Sequence, residues 1–142
     1  MVPVKNRVRF VETDLMGVVH HSNYFCWFEM GRVEYMRQAG VLITDLLAAG
    51  IVFPISDVSC KYRASAKFDD NITIETTLVD LSKVKMIFNY RVVRPEDGTL
   101  LATGSTKNAF SDVNGKIVRL PAQYFDLLQA ALLKEQIGPA DE

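Results

Sequence analysis

The sequence predicts an α+β fold in which an antiparallel sheet of five or six strands wraps around one long central helix. A segment beginning near Tyr24 has helical length and is apolar on nearly every side, which indicates a helix enclosed by other elements. After Ile51 the pattern changes to β-rich runs, and the connections between the later runs are too short for parallel crossovers. We expect one domain covering residues 1–142.

The first elements lead into the long helix. Residues 4–12 alternate apolar and polar side chains and predict a half-buried strand, with Val8 and Phe10 on its inner side. Gly17 can supply the positive φ of a tight turn. Ser22 or Asn23 is suited to cap the helix that follows, because their side chains can accept hydrogen bonds from free amides of its first turn.

Side chains within the long helix predict salt bridges and buried thiols. Glu29 lies three residues before Arg32, which is a spacing that allows an ion pair. The same helix carries Glu34, which is spaced to pair with a basic residue further along. Cys26 in this helix and Cys60 in a later strand predict reduced thiols in the core.

The second half of the chain predicts a sheet and a terminal helix. After a short helix at 44–50, strands are expected over 51–63, 72–81, 84–94 and 100–112, and the last three form a meander. Asn114 and Gly115 predict a hairpin turn that leads to a short returning segment at 117–120. Pro121 can open an amphipathic helix that ends before Gly138.

Charge and hydropathy restrict the partners of this protein. The formal net charge is −1, with 16 Lys and Arg against 17 Asp and Glu scattered along the chain, so nucleic acid is not an expected partner. No run approaches the roughly 18 apolar residues of a membrane span. The N-terminal residues lack the apolar centre of a signal peptide, and we therefore expect a cytoplasmic protein.

Residues 13–24 carry the pattern T-D-x-x-G-V-V-x-x-x-N-Y, and residues 25–37 continue it as F-x-x-F-E-x-x-R-x-E-x-x-R. Together they closely resemble hot-dog proteins of the 4-hydroxybenzoyl-CoA thioesterase-like family, and in particular its acyl-CoA thioesterase branch associated with the Tol-Pal system. The resemblance covers nearly the whole chain. It implies a hot-dog fold, hydrolysis of acyl-coenzyme A without a cofactor, and a site at a dimer interface. Because exposed apolar surfaces need covering, we expect a homodimer or homotetramer.

Thioester hydrolysis suggests roles for two residues of this pattern. The carbonyl oxygen gains negative charge during attack, and the amide of Tyr24 at the positive end of the helix is a suitable donor for it. Asp14 is expected to be the catalytic carboxylate, either attacking directly to form a mixed anhydride or taking a proton from water. Glu29 remains an alternative second acid near the site.

The other candidates form the wall and the charged edge of the site. The phosphates of coenzyme A require Lys or Arg at an exposed edge. Adjacent His20 and His21 cannot both reach one ion from a regular element, so we expect no metal site and assign them to a wall or turn. The expected substrate-binding residues are Gly17, Val19, His21, Asn23, Lys61, Arg63, Lys67 and Lys85.

Two other functions are compatible with a hot-dog fold. Dehydratases of this fold use a helix histidine with an acid, and the segment from Tyr24 to Gly40 contains no histidine. A non-catalytic module could instead bind an acyl thioester or an acyl carrier protein. Such a module would need no carboxylate in the position of Asp14, and turnover separates the two functions.

Overall fold

The computed structural model describes residues 1–137, and the predicted end of the last helix before Gly138 therefore lies outside the described residues. Its single antiparallel sheet has the strand order β1-β3-β4-β5-β2, which confirms an α+β fold with five strands. No helix within these residues is long and apolar enough to cross a membrane. The strands are β1 Val2–Arg7, β2 Ile55–Tyr62, β3 Asn71–Leu81, β4 Lys85–Arg94 and β5 Thr99–Ala109, and the α-helices are α1 Asn23–Gln38, α2 Ile43–Ala48 and α3 Ala122–Ile137.

The core lies between the sheet and α1, which packs mainly on β1, β3 and β4. Trp27 and Phe28 are fully buried, and the Phe28 ring stacks on Tyr90 with a centroid distance of 4.3 Å. Gly31 allows this close packing, because a Cβ at that position would overlap the hydroxyl of Thr76 on β3. The long helix is therefore held against the sheet along its middle, as the sequence predicts.

The prediction that α1 is enclosed on nearly all sides is wrong within a single chain. Phe25 and Met30 are each 39% exposed, and Cys26 is exposed as well. Within residues 1–137, no element fully covers these three side chains. The prediction of Cys26 as a core thiol is therefore also wrong, although Cys60 is half-buried.

The predicted first strand is too long. β1 ends at Arg7, and Phe10–Glu12 forms one turn of 3-10 helix that redirects the chain. As a result Phe10 is 75% exposed, whereas Glu12 is buried. Alternation of apolar and polar residues does not reveal where a strand stops and a turn begins.

One predicted ion pair of α1 forms and the other does not. Glu34 accepts a hydrogen bond from Arg37 at 2.7 Å. Arg32 follows Phe28 by one turn and shares its buried face, where its guanidinium donates to the Tyr90 hydroxyl at 3.3 Å. Glu29 belongs to the exposed side of the helix, so the predicted pair of Glu29 with Arg32 is wrong.

The C-terminal part follows the prediction in outline. β3, β4 and β5 form the expected meander. Gly115 adopts a φ of +86° in the expected turn, and the Asp112 amide donates to the Lys116 carbonyl at 2.8 Å. Ser111 makes only isolated bridges to Val52 and Ile117, so the returning segment does not extend into a sixth strand.

Candidate active site

Asp14 lies in a tight turn between the 3-10 helix and α1. Its amide donates to the Val18 carbonyl at 2.8 Å, and Gly17 closes the turn with a φ of +77°. One carboxylate oxygen of Asp14 accepts the Met16 amide at 2.8 Å. Leu15 and Met16 form the tip of the turn and are 107% and 86% exposed. The turn therefore fixes the direction of the Asp14 carboxylate while leaving it accessible to a ligand.

A pocket of about 340 Å³ lies beside this turn, at the start of α1. It brings together five of the residues predicted from the sequence, which come from the Asp14 turn, the first turn of α1 and the end of β2. It also includes residues that the prediction did not assign to the site. Its lining is Asp14, Val19, His20, His21, Tyr24, Tyr62, Arg63, Ala64 and Ser65.

The start of α1 is not capped by a side chain, and this part of the prediction is wrong. Ser22 already has helical dihedral angles, with φ −62° and ψ −24°, and its hydroxyl instead pairs with Nδ1 of His20 at 2.8 Å. The side-chain amide of Asn23 donates to the carbonyl oxygens of Glu12 and His20. The Tyr24 amide donates to the His21 carbonyl at 3.2 Å, which is at the long end of the range for N–H···O bonds.

Tyr62 is a pocket residue that the sequence analysis missed. Its hydroxyl donates to the His21 carbonyl at 3.1 Å, and its ring lies edge-on to Tyr24 with a centroid distance of 5.1 Å. Partial desolvation of the hydroxyl, together with the neighbouring Cys60, raises the pKa of Tyr62 to about 12. Burial also raises the pKa of Tyr24. Both phenols are therefore neutral at ordinary pH, and the Tyr62 hydroxyl can act as a hydrogen-bond donor.

Gly17 and Asn23 shape the site without lining the pocket. Gly17 completes the Asp14 turn, and Asn23 links the start of α1 to Glu12. Lys67 is exposed in the neighbouring loop, where its backbone bridges to Val18. These three predicted binding residues thus lie beside the pocket rather than in its wall.

The remaining basic candidates are on other parts of the sheet. Lys61 lines a groove of about 670 Å³ on the face that α1 does not cover, and Arg63 lines both this groove and the smaller pocket. Thr103 on β5 pairs with both Lys61 on β2 and Arg91 on β4, so Lys61 and Arg91 lie at the same level of the sheet. Lys85 precedes Arg91 by six residues on β4. At 3.3–3.4 Å per residue, Lys85 is about 20 Å along the sheet from this level. It pairs with Asp80 at 3.8 Å, and within one chain the fold does not bring it to the pocket.

Comparison with known proteins gives consistent matches along the chain. The family model of the thioesterase-like superfamily matches residues 8–135. A putative esterase of Aquifex aeolicus is 34% identical over 125 residues, which are 88% of this chain and 95% of that protein. The acyl-CoA thioester hydrolase YbgC of Escherichia coli is 32% identical over 95 residues, or 67% of this chain and 70% of its own. The structure of DHNA-CoA thioesterase from Staphylococcus aureus superposes with a TM-score of 0.85 at 29% identity, covering 98% of this chain and 93% of that one.

The wrapped five-stranded sheet and these matches define a hot-dog thioester hydrolase. The chain belongs to the thioesterase-like superfamily. This confirms the family that the pattern of residues 13–24 resembles, and with it the predicted fold and class of enzyme, whereas the Tol-Pal-associated branch stays a prediction.

Proposed function

We propose that the protein hydrolyses acyl- or aroyl-coenzyme A to the free acid and coenzyme A, with Asp14 as the catalytic carboxylate. The observation that carries this proposal is the pocket lined both by Asp14, an exposed carboxylate on a fixed turn, and by Tyr24 in the first turn of α1. The names of relatives such as YbgC support an acyl-CoA substrate. The substrate would be a thioester whose carbonyl group enters between Asp14 and Tyr24.

Two routes for Asp14 lead to the same products. As a nucleophile, its oxygen bonds to the carbonyl carbon and the C–S bond breaks, which releases coenzyme A as the thiolate. Water then hydrolyses the mixed anhydride, which releases the acid, regenerates the Asp14 carboxylate and supplies the proton that the thiolate takes up. As a base, it removes a proton from water, whose oxygen attacks the carbonyl carbon, and the proton ends on the departing thiolate. Either route develops negative charge on the carbonyl oxygen. The Tyr24 amide is the proposed donor, and its long bond to His21 can be shared with a second acceptor.

Coenzyme A would extend from the pocket towards the basic edge formed by Arg63 and Lys61. Arg63 lies where the pocket meets the groove on the outer face of the sheet, which supports a role in binding phosphate. Lys67 lies close enough to the Asp14 turn to contribute. Lys85 is not included in this group, because within one chain it lies about 20 Å along the sheet from the level of Lys61 and pairs with Asp80.

A homodimer would complete the site, and two dimers could pair as a homotetramer. β2 is an edge strand of the sheet, and its Ile55, Val58 and Tyr62 are exposed. An unpaired strand edge bordered by apolar side chains favours pairing with the same edge of a second copy. Because Tyr62 belongs to both this surface and the pocket, the second copy would border the substrate.

We also propose that the protein acts in the cytoplasm, where its two free thiols, Cys26 and Cys60, would remain reduced. An acyl carrier protein could present the same thioester to the pocket. Carrier-linked and coenzyme A-linked forms of one acyl group, assayed side by side, would identify the preferred carrier.

The proposed function is tested by measuring thiol release from short, long and aromatic acyl-coenzyme A thioesters. We expect turnover with at least one of these substrate classes and saturation with increasing thioester concentration. Binding of acyl-coenzyme A without thiol release would instead identify a non-catalytic binding module. Absence of both binding and release across the panel would contradict the proposed substrate class.

A further inference from the structure

Glu12 is a buried acid that does not line the pocket. Its side chain lies next to the core, and the residue is only 2% exposed. One carboxylate oxygen accepts the Arg9 amide at 2.8 Å, and the other accepts the indole N–H of Trp27 at 2.8 Å. A buried carboxylate is costly unless both oxygens have partners, so these two contacts define a specific place for it.

The backbone of Glu12 makes a second set of contacts to the end of residues 13–22, the loop that carries Asp14, and to the start of α1. Its carbonyl oxygen accepts the His20 amide at 2.9 Å and the side-chain amide of Asn23 at 2.9 Å. The loop carrying Asp14 therefore leaves from Glu12 and returns to it. Trp27 is fully buried one turn into α1, so the Glu12 carboxylate also fastens the loop to the helix.

We propose that Glu12 is a positioning residue that sets the distance between the Asp14 carboxylate and the Tyr24 amide. This inference rests on the proposed function, because it assigns Glu12 an effect through the carboxylate that reacts. Asp14 is two residues after Glu12, and Tyr24 is one residue after Asn23. A shift of about 1 Å in the relative position of reacting groups can reduce the rate by on the order of 10²-fold.

Glu12→Gln changes this arrangement with little change in side-chain size. The carboxylate accepts from two N–H donors, Arg9 and Trp27. A carboxamide offers one acceptor oxygen and one donor nitrogen. In one of the two contacts, the N–H group of Arg9 or Trp27 would therefore meet the NH₂ group of glutamine, and no hydrogen bond could form. The loop or the helix start must then move, and we expect kcat to fall on the order of 10-fold to 10²-fold with a smaller change in KM.

The decisive measurement compares Glu12→Gln in the wild-type and Asp14→Asn backgrounds. If Glu12 acts by positioning Asp14, the substitution lowers kcat in the wild type and has no further effect once Asp14 has been replaced. A loss of the same fold in both backgrounds, or a wild-type kcat for Glu12→Gln, would overturn the inference. Glu34→Gln is the matched control. It removes the charge of an acid that pairs with Arg37 on α1, and it should leave kcat unchanged.

A readout independent of activity separates this inference from the proposed function. The chain contains a single tryptophan, so the indole N–H of Trp27 gives one resonance in a ¹⁵N-correlated NMR spectrum. Glu12→Gln should shift this resonance and Glu34→Gln should not; an unmoved resonance would contradict the Glu12 contact even if no thioester were hydrolysed. If Glu12→Gln does not fold, Trp27→Phe removes the same hydrogen bond from the helix side and is compared in the same two backgrounds. A loss confined to the wild-type background supports positioning, and an equal loss in both refutes it.

Discussion

Asp14→Asn is the sharpest test of the proposed chemistry. Asparagine retains a side-chain oxygen that can accept the Met16 amide, which the Asp14 carboxylate accepts at 2.8 Å. The turn also keeps Gly17 and the backbone bond from the Asp14 amide to Val18. The substitution therefore removes the negative charge and leaves the local backbone supported. Because the side chain is exposed, we expect thermal stability close to that of the wild type.

The expected loss of activity follows from the proposed role of the Asp14 carboxylate as nucleophile or base. Losing a positioned base costs about 10²-fold to 10⁴-fold in rate. At 1.36 kcal/mol for each factor of ten, the barrier rises by about 2.7 to 5.4 kcal/mol. In the proposed function, the pocket walls and the basic edge bind the substrate, so the variant should still bind acyl-coenzyme A. The assay is thiol release under saturating substrate, together with direct binding of the same thioester.

Glu29→Gln is the control for this experiment. Glu29 is exposed on α1 and does not line the pocket, so its loss should change kcat little. Near-normal turnover by Asp14→Asn would refute the assignment of Asp14. A severe loss of turnover in Glu29→Gln, with normal turnover in Asp14→Asn, would instead identify Glu29 on α1 as the catalytic carboxylate.

Three further substitutions test binding, assembly and packing. Arg63→Glu should raise KM with little change in kcat, and this rise in KM should be smaller at high salt. Lys85→Glu is the control and should leave KM unchanged. Equal effects of the two substitutions on KM would show that Arg63 is not part of the coenzyme A site. Val58→Lys on β2 should dissociate the proposed dimer in sedimentation velocity experiments, while Val113→Lys in a remote exposed turn should not; an intact dimer with Val58→Lys would exclude this edge. Gly31→Ala forces a methyl group into a β3 hydroxyl and should lower the free energy of unfolding in urea by about 1–3 kcal/mol, and an unchanged midpoint would contradict the tight contact.

The sequence predicts most of the architecture because periodicity reports how side chains are distributed between two faces. The strands at 72–81 and 84–94 closely match β3 and β4, whose side chains alternate between the core and the outer surface. The same signal fails at Phe10, where the backbone enters a 3-10 turn while the apolar pattern continues. It also fails for Phe25 in α1, because apolar character does not tell which neighbour covers a side chain.

The candidate site is predictable where its residues are adjacent in sequence. Asp14 and Tyr24 fall within one recognisable pattern, and the fold brings them to one pocket. Tyr62 reaches that pocket from β2, and its hydrogen bond to His21 joins residues 41 positions apart. Glu12 carries no local signal beyond being an acid in an apolar stretch, since its role depends on burial against Trp27. Contacts of this kind arise only from tertiary packing.

Closure of the Asp14 loop at Glu12 has a consequence for how this site can evolve. The base of the loop is fixed by the bonds from His20 and Asn23, whereas Leu15 and Met16 at its tip are fully solvated. Substitutions at the tip therefore escape the constraints that act on the core. Descendants of one ancestral gene can vary the tip while inheriting the anchored base of the loop unchanged.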